Sequence, residues 1–353
     1  MRYLGIDQSR KTSTFYVSDE SGRRIAGGTV DNLAINFANL VSKYKDQDGL
    51  KVALETGNGA FKYARAMHDA GAMVWVVDPY QNALIRESTK KTDSLDAKQL
   101  CEQLRRGMLP PKPVYIPTEN EEQLRFLVRA RARVVKERTM LSNYTVRTAD
   151  RHGYYVKKSA LSRQPAWVLL LTEAQGWGSE ERLSLKQAHE RFLQLEKHLG
   201  ELDAELAARR EGTFGKEDKL LETIPGFGAA TKTAMIARYG PIERFSNARQ
   251  LCRYTGLAPS LRQSGNAHGR GGITKQGDAL LRSYLTQAAL AIIVKANEQE
   301  PLYVWYLGVK RRRGWKKARV ALARKLVSVA YGVLKHGKPY DPNQVSREIS
   351  KAA

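Results

Sequence analysis

The chain has 353 residues, with 59 Lys and Arg against 36 Asp and Glu, a formal charge of +23 at neutral pH. Hydrophobic residues make up 42%, enough for packed cores, which excludes wholesale disorder; at this length two or three domains are expected. So large a cationic surplus predicts attraction to polyanions, nucleic acid above all, and a purely small-molecule enzyme would not need it. The two cysteines, Cys101 and Cys252, lie far apart in no metal-ligand spacing, so neither a disulfide scaffold nor a zinc ribbon is expected. No signal-peptide pattern precedes the first apolar run, and the longest such run, Ala288 to Val294, is too short for a bilayer. The expectation is a soluble, cytoplasmic, nucleoid-associated protein with no membrane partner.

Residues 3–78 alternate strand and helix patterns. Tyr3-Leu4-Gly5-Ile6 is a short apolar run ending at Asp7. Thr12 to Val17 is rich in β-branched and aromatic residues, Glu20-Ser21-Gly22 suits a hairpin turn, and Arg23 to Val30 would return as a strand. Leu33, Phe37, Leu40 and Val41 have helical spacing. Val52-Ala53-Leu54 reads as a buried strand ending at Glu55, Phe61 to Ala70 as a helix, and Met73 to Val77 as a strand closed by Asp78-Pro79. That order predicts a mixed α/β sheet.

Leu109 to Thr118 contains four prolines, a density that forbids helix interior and marks a stiff linker. Thr118 with Glu121 fits a capping box, and a long helix to about Ala149 should follow, carrying Arg125, Arg129, Arg131, Arg133, Lys136 and Arg138. Leu185, Ala188, Phe192, Leu195, Leu199, Leu202 and Leu206 repeat with 3–4 spacing. This seam fits an intramolecular helical hairpin and a dimerisation stalk equally well, with Glu211-Gly212 as its end and a compact helical region starting near Lys219. Leu302 to Tyr340 holds eleven Lys and Arg and no acid, including Lys310-Arg311-Arg312-Arg313 and Lys316-Lys317. Trp305 and Trp315 lie among them, which suits contact with a nucleic-acid backbone together with stacking. The competing reading is a solvated basic face.

Two groups of residues carry candidate chemistry. Asp7 and Glu55 end strands, and Asp93 and Asp96 form an i, i+3 pair near a helix start with Thr92 as a candidate N-cap. Like charges this close call for a cation, and hard divalent ions prefer oxygen ligands; such a set could hold one or two ions against a phosphodiester. Taken singly, each acid is more often a turn or helix-end residue. Further along, Ile224-Pro225-Gly226-Phe227-Gly228 reads as a helix-hairpin-helix turn that could hold a phosphate, or as a tight turn packing two helices. Six glycines between Gly256 and Gly277 argue for a flexible or ligand-hugging loop, with Arg262, Arg270, Lys275 and Arg282 around its hydroxyls. Ser260, Ser264 and Thr274 all qualify there as a nucleophile in an electropositive setting, and a phosphate-binding loop is the plainer reading.

Gly5-Ile6-Asp7, Leu54-Glu55-Thr56-Gly57 and Thr92-Asp93-Ser94-Leu95-Asp96-Ala97, followed by Arg151-His152-Gly153, resemble the RuvC-like domain of the DEDD-type insertion-sequence transposases, the IS110 family with its IS1111 branch. The likeness extends through Gly256-Leu257-Ala258-Pro259, Ser264-Gly265, Ile273-Thr274-Lys275 and Leu281-Arg282 to nearly the whole chain. It implies a ribonuclease-H-like domain in which Asp7, Glu55, Asp93 and Asp96 bind Mg²⁺, with Mn²⁺ as an alternative. It also implies a C-terminal transposase domain whose serine before glycine, here Ser264, is the nucleophile, with Ser260 as the fallback.

The implied architecture is α/β plus α. It comprises a RuvC-like domain at 1–110, a linker at 111–118, a coiled-coil helical stalk at 119–212, a mainly helical transposase domain with a helix-hairpin-helix at 213–340, and a tail at 341–353. The implied function is a recombinase that moves its own element through a covalent phosphoserine link. Its partners would be donor and target DNA, an element-encoded guide RNA and further copies of the chain, as a dimer or tetramer. Arg262, Arg270, Lys275, Arg282, Lys310, Arg311, Arg312, Arg313, Lys316 and Lys317 are the candidate nucleic-acid contacts. Three competing readings are a Holliday-junction or flap nuclease using metal-activated water, an actin-like sugar or acetate kinase, and a non-catalytic nucleic-acid scaffold. The kinase would need a glycine-rich phosphate loop where Gln8-Ser9-Arg10-Lys11 stands.

Overall fold

The computed structural model describes residues 1–79, 82, 93–264 and 267–346, with the side chains of Asp93 and of 261–271 outside that description. The expected cap Thr92 and the last residues of the tail also lie outside it. The chain divides into two compact units, Met1–Glu119 and Asn120–Ala353.

The first unit is a five-stranded mixed sheet in the order β3-β2-β1-β4-β5. Its strands are β1 (Arg2–Gln8), β2 (Thr12–Ser18), β3 (Arg24–Asp31), β4 (Leu50–Glu55) and β5 (Met73–Val77). β1, β2 and β3 form an antiparallel meander, whereas β4 lies parallel to β1 and β5 parallel to β4. Parallel neighbours need crossovers, and α1 (Ala34–Tyr44) and α2 (Ala60–Asp69) supply them. Alternation along the strands gives the sheet two apolar faces. Leu4, Ile6, Val52, Leu54 and Val76 face one core with Phe37, Val41, Ala64 and Met67 of α1 and α2. Tyr3, Ala53 and Val77 face a second, smaller core with Leu100, Cys101 and Leu104 of α3 (Asp93–Arg105). Burial of each large aliphatic side chain contributes about 1.5–3 kcal/mol.

The strands and helices of this unit fall where the apolar spacing predicts, with two differences. Leu33 stands just before α1 and is 58% exposed, so the buried stripe is only Phe37, Leu40 and Val41. The proline-rich stretch carries no helix or strand, yet it is no free spacer. The Val114 amide donates to the Val76 carbonyl at 2.8 Å, Arg65 donates to the Pro117 carbonyl at 2.7 Å, and Val114 and Ile116 pack on the first core.

The second unit is helical apart from one β-hairpin. Its two long helices are α4 (Glu119–Arg151) and α6 (Ser179–Glu222), joined through α5 (Gln164–Glu173). Arg131 pairs with Asp203, Arg138 with Glu196 at 2.8 Å, Glu137 with Arg191 at 2.9 Å, and Tyr144 meets Ser184 at 2.5 Å. From Arg131 to Tyr144 the partner moves back from Asp203 to Ser184, so α4 and α6 are an antiparallel hairpin within the chain. The seam predicted on α6 is buried at Leu185, Ala188, Phe192, Leu195, Leu199 and Leu206.

The expected end at Glu211-Gly212 falls two residues before Phe214, where φ is −125° and ψ 28° and the helix is broken; a second helical stretch continues to Glu222, so that α6 is two helices joined across a kink. Across the kink, buried Arg210 meets Asp218 at 2.6 Å, and Asp218 also meets buried Lys232 at 3.1 Å.

The remaining elements are α7 (Ala229–Tyr239), α8 (Ala248–Tyr254), β6 (Pro259–Ser264), β7 (Ala267–Ile273), α9 (Ala279–Lys295), α10 (Pro301–Arg313) and α11 (Trp315–His336). The helices enclose one large core, with Leu251, Leu285, Leu302, Leu322, Ala323, Leu326 and Val327 fully buried. The turn before α7 packs two helices: Gly226 has φ of +82°, and a Cβ there would lie 2.5 Å from the Ala288 carbonyl oxygen of α9. No helix among the described residues is long and apolar enough to cross a membrane.

Candidate active site and nucleic-acid interface

In the first unit the acids are placed by the register of two strands and one helix. Ile6 pairs with Leu54 across parallel β1 and β4, so one step further along the same register Asp7 and Glu55 are neighbours. Both alternate onto the face opposite Ile6 and Leu54, which is the face α3 covers.

The helix can lie this close because of Gly5. A Cβ there would sit 2.1 Å from the Ala97 carbonyl oxygen and 2.5 Å from the Cys101 amide nitrogen. The Cys101 thiol reaches the Tyr3 carbonyl at 3.3 Å and the Ser18 hydroxyl at 3.2 Å, and burial pushes its pKa up. Residue 3 thus lies by residue 101 and residue 5 by residue 97. Two strand residues advance about 6.6 Å and four helical residues about 6 Å, so Asp7 falls at the level of the first turn of α3, which holds Asp93 and Asp96.

Asp96 is buried at 7% exposure, on the same side of α3 as Leu100 and Gln103. Asp7 and Glu55 are partly buried and each is engaged in contacts within the chain. Beside them, the Gln8 side-chain amide donates to the Asn58 carbonyl. Among the described residues no group of three metal-ligating side chains is closed. The donor set is nonetheless all carboxylate, which suits a hard, oxygen-preferring divalent cation and not a thiolate or imidazole metal. Sequence spacing alone missed Gly5; its signal was a glycine interrupting an apolar strand run, a mark of close backbone approach.

In the second unit the glycine-rich stretch, expected as a flexible or ligand-hugging loop, is a β-hairpin. β6 and β7 pair antiparallel, with Leu261 opposite Arg270, Gln263 opposite His268 and Ser264 opposite Ala267. Ser264 is therefore the last residue of β6, beside the connection Gly265-Asn266. Its side chain and those of Arg262 and Arg270 lie outside the described residues.

The base of the hairpin is fastened backbone to backbone. The Thr274 amide donates to the Ala258 carbonyl at 2.9 Å and the Lys275 amide to Gly256 at 3.2 Å. Gly256 (φ +70°) and Gly277 (φ +124°) allow this approach, since a Cβ at either would lie within 2.4 Å of a backbone oxygen. Arg282 donates to the Thr255 carbonyl at 3.3 Å and so braces the base, while Lys275 is exposed. Of the other hydroxyls, Ser260 donates to the Gly272 carbonyl at 2.9 Å, which occupies it in strand pairing.

The cations separate into two kinds. On α4, Arg125 is buried and donates to the Ala237 carbonyl at 2.6 Å, and Arg131 and Arg138 pair with α6. Half of the predicted arginine surface is thus consumed internally, leaving Arg129, Arg133 and Lys136 exposed. By contrast, Lys310, Arg311, Arg312, Arg313, Lys316 and Lys317 are all exposed where α10 and α11 join at Gly314. Trp315 beside them is 51% exposed, with Arg319 over its ring.

Two family models match the chain. One, for DEDD transposases of the IS110 type, matches residues 4–151; the other, described as the transposase IS116/IS110/IS902 family, matches residues 218–304. The first range holds all four acids and the second holds Ser264. The chain is 26% identical over 343 residues to the transposase for insertion sequence element IS1111A of Coxiella burnetii, covering 96% of this chain and 91% of that protein. It is 26% identical over 296 residues to the transposase for IS1328 of Yersinia enterocolitica, covering 81% and 84%. Over 125 residues it is 31% identical to the pilin gene-inverting protein of Moraxella bovis, covering 35% and 38%.

Proposed function

Since the chain belongs to the IS110 family of transposases and is a DNA transposase or recombinase, we propose that it cuts and rejoins DNA through a covalent link to Ser264. The Ser264 Oγ–phosphorus bond forms, the bond from phosphorus to the 3′ oxygen breaks, and the hydroxyl proton ends on that leaving oxygen. Attack by a 3′-hydroxyl of the partner strand reverses the step, so rejoining needs no high-energy cofactor. The observation that carries this reading is the place of Ser264, at the end of a hairpin whose base is pinned through Gly256 and Gly277. A nucleophile needs to be held, and a pinned hairpin base supports that for the backbone of Ser264.

Asp7, Glu55, Asp93 and Asp96 would hold Mg²⁺, or Mn²⁺ in its stead, on a RuvC-like domain. Such an ion, when bound, would stabilise charge developing on the scissile phosphate. The exposed cations of α10 and α11 suit backbone contact rather than base reading. That fits a protein whose DNA sequences are chosen by base pairing to an element-encoded RNA. Phe126, Met140 and Leu193, apolar and exposed on the long hairpin, suit assembly with further copies of the chain.

Trapping the chain on a DNA substrate under denaturing conditions tests the chemistry. The wild type should yield a covalent adduct and Ser264→Ala none, with DNA binding retained. Adducts at normal yield from Ser264→Ala would transfer the role to another hydroxyl, Ser260 first. Strand cleavage by the wild type with no adduct at all would favour metal-activated water, as in a junction nuclease.

A further inference from the structure

At the base of the Ser264 hairpin the second unit holds a cavity of about 620 Å³, between the hairpin and the pair α10–α11. Its interior is apolar: Leu257 and Ile273 come from the ends of the hairpin, Trp305 and Val309 from α10, and Val320 from α11. Its volume is within the roughly 300–1,000 Å³ of small-molecule sites. Four cations, Lys316, Lys317, Arg324 and Lys325, also line it, and no acid does. An apolar chamber with an indole in its wall and a cationic rim has the chemistry of a nucleotide: a flat π-face inside, a phosphate at the entrance. The four cations select for an anion and the indole beside them for a flat ring, and a nucleotide combines the two.

We propose that this cavity receives an unstacked base of the DNA strand that is being recombined, with the adjoining phosphates on the Lys316, Lys317, Arg324 and Lys325 rim. The assignment to DNA rests on the Ser264 reading above, because Pro259 of β6 and Gly272 of β7 also line the cavity. β6 carries the chain from Pro259 at the cavity to Ser264 over five residues, about 17 Å, so a strand lying along the hairpin would place the captured base a few nucleotides from the phosphate at the serine. Withdrawing a base from the stack bends the backbone and holds its neighbouring phosphate in one register, which a phosphoserine exchange requires on both of its steps.

The test compares the full chain's affinity for oligothymidylate with that for an abasic strand of equal length and charge. Wild type should bind the base-bearing strand roughly 5- to 140-fold more tightly, the range that base–aromatic stacking covers. Trp305→Ala should remove most of that preference, and so should Val309→Trp and Ala321→Trp, which fill the cavity from two different helices. All three should keep the wild-type dependence on salt, which reports phosphate contacts. Two fillers guard against one variant failing to fold, which circular dichroism would reveal. Equal affinity of the wild type for both strands, or a preference untouched in the folded variants, would overturn the proposal. A preference for oligouridylate over oligothymidylate would overturn it too, by giving the cavity to RNA. No strand is cut in this assay, so a failure of the Ser264 chemistry would show in adduct trapping and leave this result unchanged.

Discussion

Asp7 and Glu55 stand on strands with a partner on each side, β1 between β2 and β4 and β4 between β1 and β5, and they are covered by a helix locked in place at Gly5. Ser264 ends a strand with a single partner and is fixed from below, at the Gly256–Gly277 base. The acids are thus held by the middle of a hydrophobic sheet, and any error in their position costs core packing. The serine is held by a ribbon of two strands, which on its own is marginal. Under the proposed chemistry, acids that would bind a small ion at fixed separations belong on the first kind of support, and a serine that would reach a strand of DNA and then pass it to another suits the second.

The comparison predicts its own failures, from large to small. Asp7→Ala or Asp96→Ala should remove metal-dependent recombination as completely as Ser264→Ala removes the adduct; wild-type rates from either would dissolve the acidic site. Gly5→Val should destabilise the first unit by about 3 kcal/mol or more, because the new side chain must displace α3. Urea unfolding of that unit reads the loss, and recombination should fall with it while nucleic-acid binding by the second unit persists. Unchanged stability would mean that α3 is not anchored at Gly5.

Neutralising Arg311, Arg312 and Arg313 together should weaken DNA binding without base preference and lower the salt slope by up to about 3. An unchanged slope would remove this surface from the interface. The smallest effect is chemical: Cys101, buried with its thiol pKa raised, should resist alkylation in the native protein at mildly alkaline pH and react only on unfolding. Rapid native labelling would show that the helix–sheet contact opens readily.

The sheet was legible because its strands are short apolar runs bounded by turn residues, a pattern that packing reinforces. The acids were legible as strand ends and a helical pair, but that Asp7 and Glu55 are neighbours, and that the backbone of α3 lies against β1 at Gly5, needed the register of β1 with β4 and the Gly5 contact, neither of which spacing shows. The glycine-rich stretch read as a loop because side-chain alternation is the usual strand signal. Gly269, Gly271 and Gly272 give none, although β7 pairs through its backbone. The helix end expected at Gly212 was legible to within two residues, since the backbone leaves helical geometry at Phe214; that a second helical stretch follows at once, tied across the kink by Arg210 and Asp218, was not. The arginines of α4 looked like one surface because charge alone does not reveal that Asp203 and Glu196 lie opposite.

The antiparallel pairing of α4 with α6 has a consequence for how such an arm can vary. Each cross-link joins a residue early in one helix to a residue late in the other, so removing seven residues from both, at matching heights, returns every surviving pair to its partner. Removing seven residues between these pairs from one helix alone leaves Arg131 and Arg138 unable to meet Asp203 and Glu196 at the same time. Arm length is therefore adjustable in whole, two-sided steps that leave Ser264 and Asp7 untouched, whereas one-sided changes unravel the arm from the altered point outward.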